Sequence, residues 1–157
     1  VGKGLIPSLV VVFVALSPLS PAVEDLVGPV GRGAVLEHCP SWRGHVAAYQ
    51  PRPVALEELR TLAREPLIEV YFGSWCSDSE VHVSEFFKVL DLLDSPLVRT
   101  AYIGIPKDKA QRAPFLQGRD ILKLPTFIVL IGGREVGRIV ETPERSIEED
   151  LARLLGL

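Results

Sequence analysis

The sequence predicts an α/β protein: a single domain with a central mixed sheet flanked by helices, and an irregular N-terminal extension ahead of it. Three observations predict it. Apolar runs of strand length (67–73 and 98–105) alternate with segments of helical spacing (54–64 and 77–93), as in parallel strands joined by right-handed helical crossovers. Two later strand-like runs, 126–131 and 135–140, flank Gly132-Gly133-Arg134 and predict a hairpin that adds antiparallel edge strands. The chain of 157 residues, 47% hydrophobic and 24% charged, has the length and composition for one packed core.

From the N-terminus, the first 22 residues stand apart. Lys3 supplies a positive start, Leu9-Val10-Val11-Val12-Phe13-Val14-Ala15-Leu16 is uninterrupted and apolar, and Ser20-Pro21-Ala22 has the small residues of a cleavage site. The run is shorter than the roughly 20 apolar residues of a membrane span, and Pro7 and Pro18 bound it. A secretory signal peptide over 1–22 is the expectation, with a periplasmic or secreted protein in an oxidising compartment. Membrane association is expected only if the segment stays uncleaved. Residues 23–53 are rich in Gly and Pro without a sustained period, and Val35-Leu36-Glu37-His38-Cys39-Pro40 reads as a short strand or an extended lead-in.

The domain proper is expected over 54–157. Val54, Ala55, Leu56, Leu59, Leu62 and Ala63 keep helical spacing until Pro66 stops the helix. Leu67-Ile68-Glu69-Val70-Tyr71-Phe72 reads as a buried strand. Val81, Val83, Phe86, Phe87, Leu90 and Leu93 fall largely on one stripe of a helix ended by Ser95-Pro96. A strand over 98–105 follows, then a short helix within 108–122 broken at Gly118, then the hairpin. Ser146-Ile147-Glu148-Glu149 is a capping-box sequence opening a helix with Ile147, Leu151, Leu154 and Leu155 on its apolar side.

The chemistry concentrates at Trp75-Cys76-Ser77-Asp78-Ser79, which follows the first strand of the domain and opens a helix. A thiol there meets unpaired backbone N–H groups and the positive end of the helix dipole, both of which favour the attacking thiolate. Ser79, one turn on, is expected to donate a hydrogen bond to the sulfur, while the Asp78 carboxylate opposes a second negative charge. Asp78 also reads as a capping residue.

A strand, a Trp-Cys helix start and the later strand start Lys123-Leu124-Pro125-Thr126-Phe127 together resemble the thioredoxin superfamily, over about residues 54–157. The resemblance implies a thioredoxin-like domain in which Cys76 is the nucleophile and Trp75 an apolar wall beside it. It also implies that Pro125 is the family's cis proline, with Leu124 offering backbone groups to an extended substrate. Two departures go together. Ser79 stands where the family's Cys-x-x-Cys pair has its resolving cysteine. Val70 stands where many thioredoxins bury an acidic residue, and Glu69, one position off, points to the opposite face by strand alternation.

No disulfide can close within this motif, so the expected function is thiol–disulfide exchange through Cys76. The mixed disulfide is resolved either by an external thiol or by Cys39, the candidate distant resolving residue. Such monothiol chemistry favours isomerase-like or deglutathionylating activity, with protein or low-molecular-weight thiols and disulfides as partners. The alternative is a non-enzymatic binding module using the Trp75/Pro125 groove.

Other classes have little support. The net charge of −3 comes without a basic stripe, so nucleic acid is not an expected partner, and Lys107-Asp108-Lys109 with Arg112 reads as a solvated face. His38, Cys39, His45 and His82 lack zinc-like spacing, His82 reads as a surface residue, and no metal or organic cofactor is implied. Ser77 and Ser79 have no matched His and acid for a hydrolase triad, and Gly132-Gly133 precedes a strand rather than a phosphate-binding helix.

Overall fold

Alternating and helical hydrophobic patterns give rise to the following elements in the computed structural model, which describes residues 24–116 and 118–157. In chain order they are β1 (Gly28–Val30), α1 (Arg32–His38), α2 (Trp42–Ala48), α3 (Pro53–Arg60), β2 (Pro66–Phe72), α4 (Ser77–Leu93) and β3 (Arg99–Gly104). Two 3₁₀ turns follow (Lys109–Gln111 and Ala113–Phe115), then β4 (Thr126–Ile131), β5 (Arg134–Val140) and α5 (Ile147–Leu155). The signal-peptide reading of residues 1–22 lies outside the described residues. Among those described, no helix is long and apolar enough to cross a membrane.

The five strands form one mixed sheet in the order β1-β3-β2-β4-β5. β2 and β3 run parallel, with Val70 opposite Tyr102 and α4 as the crossover. β2 and β4 run antiparallel, with Val70 opposite Phe127, and β4 continues into β5 through Gly132 and Gly133, both at positive φ. The α/β class and flanked mixed sheet are as the sequence predicts. Of the hairpin strands only β5 is an edge; β4 lies inside, between β2 and β5.

Strand alternation divides the core in two. Ile68, Val70 and Phe72 face one side, where Phe86 and Phe87 of α4, Trp42 of α2, Leu59 of α3 and Leu151 of α5 cover them. Edge-to-face aromatic pairs, Trp42–Phe72 at 5.8 Å and Phe86–Phe127 at 5.4 Å, knit this layer to the sheet. Tyr71 faces the other side with Ile103, Ile105, Ile128, Leu130 and Leu124. That side is covered by the loop after β3, through Phe115, Leu116 and Ile121.

Two stretches depart from the sequence reading. Residues 24–52 contain β1, α1 and α2, and of the 35–40 segment read as strand or lead-in, 35–38 belong to α1, with Cys39 as its C-cap. Both helices have only seven residues and bury one side chain each, Val35 and Trp42, so neither repeats an apolar spacing that could be read. β1 pairs antiparallel with β3, Pro29 opposite Ile103. The expected helix within 108–122 is replaced by the two 3₁₀ turns. Pro114 and the positive-φ Gly118 interrupt it, and the Arg112 guanidinium ties the loop to itself by donating to the carbonyls of Pro106 (2.9 Å) and Lys107 (3.0 Å).

Candidate functional site

β2 delivers the chain to a tight turn, Gly73-Ser74-Trp75, and Cys76 then caps α4 in extended geometry (φ −100°, ψ 123°). The Cys76 N–H donates to Gly73 O at 3.0 Å and its carbonyl accepts from Glu80 N–H at 3.0 Å. Gly73 is required here: a Cβ on it would stand 2.8 Å from the Trp75 ring, which folds back over it. The indole N–H donates to Ile105 O at 2.9 Å, fixing the ring plane.

The loop before β4 comes up against this turn. The half-buried Cys76 Sγ lies 3.7 Å from Leu124 O, and the Leu124–Pro125 peptide is cis. That loop is braced from behind. Thr126 Oγ1 donates to Lys123 O at 2.7 Å, Glu141 N–H donates to Pro125 O at 2.7 Å, and Lys123 pairs with Glu141. Trp75, Cys76, Leu124 and Pro125 therefore gather at one end of the sheet, from two segments far apart in sequence.

Ser79 is placed differently from expectation. It is fully buried, and its hydroxyl accepts the Gly73 N–H at 3.1 Å, with no hydrogen bond to Cys76 Sγ. Cys39 is buried on the other side of the turn. Its Sγ lies 3.9 Å from Ser74 O and it packs in the helix-covered layer with Trp42, whereas Cys76 packs in the opposite layer. Both thiols are free. Burial, and next the Glu80 carboxylate, push the Cys39 thiol above its ordinary range.

Asp78 is exposed in the first turn of α4 beside Glu80, where negative charge suits the dipole, and Cys76 rather than Asp78 occupies the cap. His82, read as a surface residue, is instead mostly buried, its Nδ1 2.8 Å from Glu85 Oε2. Glu69 does point away from the Val70 face: it takes a two-pronged bond from Arg119, 3.0 Å on each oxygen, and accepts the Tyr71 hydroxyl at 3.2 Å. Two larger clefts, of 620 and 630 Å³, are lined by Arg52 and Arg145 beside α3 and α5, and neither includes Cys76.

The sequence reading passed over Ser74, whose hydroxyl accepts Leu26 N–H at 3.0 Å, and took Arg112 for part of a solvated face, whereas it is half-buried with its guanidinium carbon 5.3 Å from the centre of the Trp75 ring. Neither had a local signal. Each acts on a residue 37 or more positions away, a relation that only the folded chain creates.

No protein-family model matches this chain, and no curated protein does. Among the similar solved structures are two that cover most of the chain. One is an HIV epitope scaffold, 21% identical, covering 82% of this chain and 84% of its own, with a TM-score of 0.58. The other is a protein of unknown function from Pseudomonas aeruginosa, 19% identical, covering 80% of this chain and 76% of its own, with a TM-score of 0.51. At these identities the likeness shows the fold alone.

Proposed function

We propose that this chain is a thioredoxin-family protein that exchanges disulfides through Cys76 alone, with an external thiol resolving the mixed disulfide. The observation that carries the reading is the position of Cys76: at the start of α4, half-exposed, 3.7 Å from the carbonyl next to a cis proline. Cys76 caps a 17-residue helix, at the end where backbone N–H groups are free and the dipole is positive. The backbone of Leu124, held by Thr126 and Glu141, lies where an extended substrate can pair beside the sulfur.

An external resolving thiol is favoured over Cys39. The Cys39 thiol is buried, held neutral by its surroundings, and packed in the layer opposite Cys76. With Ser79 committed to Gly73, nothing within the motif completes a dithiol cycle. The proposal includes export to an oxidising compartment, where mixed disulfides form readily.

The test is intact mass on residues 23–157 and the Cys76→Ser variant, after exposure to oxidised glutathione and then to reduced glutathione. The expected result is one glutathione adduct, on Cys76, lost again on reduction and absent from the variant. A chain that takes up no adduct would leave a binding module built on the Trp75–Pro125 groove as the reading. A Cys39–Cys76 bridge would instead restore a dithiol enzyme.

A further inference from the structure

Trp75 immediately precedes Cys76 and packs with it against the same core layer, and Arg112 is fixed over the Trp75 ring. Its guanidinium carbon lies 5.3 Å from the ring centre, while Nε and one terminal nitrogen donate to the Pro106 and Lys107 carbonyls. Carbonyl oxygens orient a guanidinium without neutralising it. Among the described residues, no ion pair or hydrogen bond joins Arg112 to a carboxylate. The neighbouring carboxylates bond elsewhere and keep their charge: Asp108 accepts from Ala110 N–H and the Gln111 amide, and Asp25 accepts from Lys107 N–H. Lys107 and Lys109 extend the positive side into solvent. Asp78 and Glu80 in the first turn of α4, with Glu24 and Asp25 in the pocket that Trp75 also lines, are the opposing charges.

A residue whose role is only to tie the loop would need its donors and not its charge. A cation without a carboxylate partner, held over the ring of the residue that precedes a nucleophile, biases which molecules reach that nucleophile. We infer that Arg112 makes Cys76 selective for disulfides that carry negative charge beside the sulfur, acidic thiol compounds or acidic peptide segments. The inference rests on the exchange reading above. In the step, the Cys76 thiolate attacks one sulfur of the disulfide, the S–S bond breaks as the Cys76 Sγ–S bond forms, and the released thiolate takes a proton from water. One disulfide is exchanged for another, and no outside oxidant is needed.

Three small disulfides of similar size test it: dithiodiglycolate (anionic), hydroxyethyl disulfide (neutral) and cystamine (cationic). Rates of mixed-disulfide formation on Cys76 are followed by quenched mass measurement and normalised to those of a free cysteine amide, which removes the intrinsic reactivity of each compound. The expected order is anionic, neutral, cationic, with the anionic-to-cationic ratio falling about tenfold in Arg112→Gln and shrinking with added salt. Arg112→Lys should keep most of the ratio, and Arg134→Gln, at the hairpin turn at the far end of β4, all of it. Loosening of the loop alone would slow all three compounds equally, so an unchanged ratio in Arg112→Gln overturns the inference while exchange through Cys76 stands. No reaction with any of the three overturns the exchange reading, and this inference with it.

Discussion

The Ser79 hydroxyl accepts the N–H of Gly73 at 3.1 Å, closing the turn that presents Cys76 from inside the helix it leads into. A hydroxyl is a far better acceptor for a backbone N–H than a thiol sulfur. Ser79 therefore has a structural use of its own: it satisfies a buried donor and holds the Gly73–Cys76 turn against α4.

Ser79→Ala should leave the Gly73 N–H buried without a partner and cost about 1–3 kcal/mol of stability. Urea unfolding of the variant and its parent measures this directly. Glutathione uptake by Cys76 should survive the change, because the Ser79 hydroxyl does not bond the sulfur. Loss of uptake in a variant that remains folded would return Ser79 to the chemistry.

Two glycines should respond in opposite directions to alanine. A Cβ on Gly104 would stand 2.1 Å from the backbone oxygen of Leu26, forcing the segment before β1 off β3 and weakening the Leu26 N–H bond to Ser74. A loss of about 2–3 kcal/mol is expected, of the size that overpacking against rigid backbone produces, with faster hydrogen exchange at Leu26. Gly33 lies inside α1 with nothing within 4 Å of its Cβ position, so Gly33→Ala should stabilise by about 0.5–1 kcal/mol. Thermal unfolding of the two variants side by side checks both signs.

Much of the fold was legible because its pieces are long enough to repeat. α4 buries Val83, Phe86, Phe87 and Leu93 at helical spacing, and β2 alternates between two covered faces, so both stand out from the residues alone. α1 did not, since a seven-residue helix that buries only Val35 has no stripe. A short helix is expected within 108–122, and the bonds from Arg112 to its own loop decide otherwise. At the site, residue types were legible and directions were not. Cys76, Trp75 and Pro125 are conspicuous in the sequence, but whether the Ser79 hydroxyl faces a sulfur or an N–H is set by the turn it closes.

Alkaline pH should undermine this fold. Tyr49, Tyr71 and Tyr102 are all raised above the ordinary tyrosine value of 10.0, and Cys39 above 9.0, each chiefly because burial disfavours the ionised form. When the folded value lies above the unfolded one, the folded chain keeps protons that the unfolded chain has lost. The stabilisation is complete below the unfolded value and is lost as pH rises toward the folded one. Stability should therefore decline from about pH 9 upward, and tyrosinate absorbance should rise together with loss of structure. Tyrosinate appearing in a chain with intact circular dichroism would contradict the assignment.

Glu148, the second residue of α5, is fully buried, yet its carboxylate is well provided for. Oε2 accepts the Tyr49 hydroxyl at 2.8 Å and Oε1 accepts Arg52 N–H at 2.8 Å, joining the segment between α2 and α3 to the start of α5, whose dipole also favours a negative charge there. Glu148→Ala strands both donors and should cost about 3 kcal/mol. Tyr49→Phe removes only one bond and should cost about 1 kcal/mol. Because the two residues share that bond, the double variant should be less damaged than the sum of the singles, by about 1 kcal/mol in a double-mutant cycle. Neither variant should alter glutathione uptake by Cys76, since neither residue contacts the turn or the Leu124–Pro125 loop. Strict additivity in the cycle would mean that the Tyr49–Glu148 bond does not form in solution, and that Glu148 is held by the Arg52 backbone and the helix terminus alone.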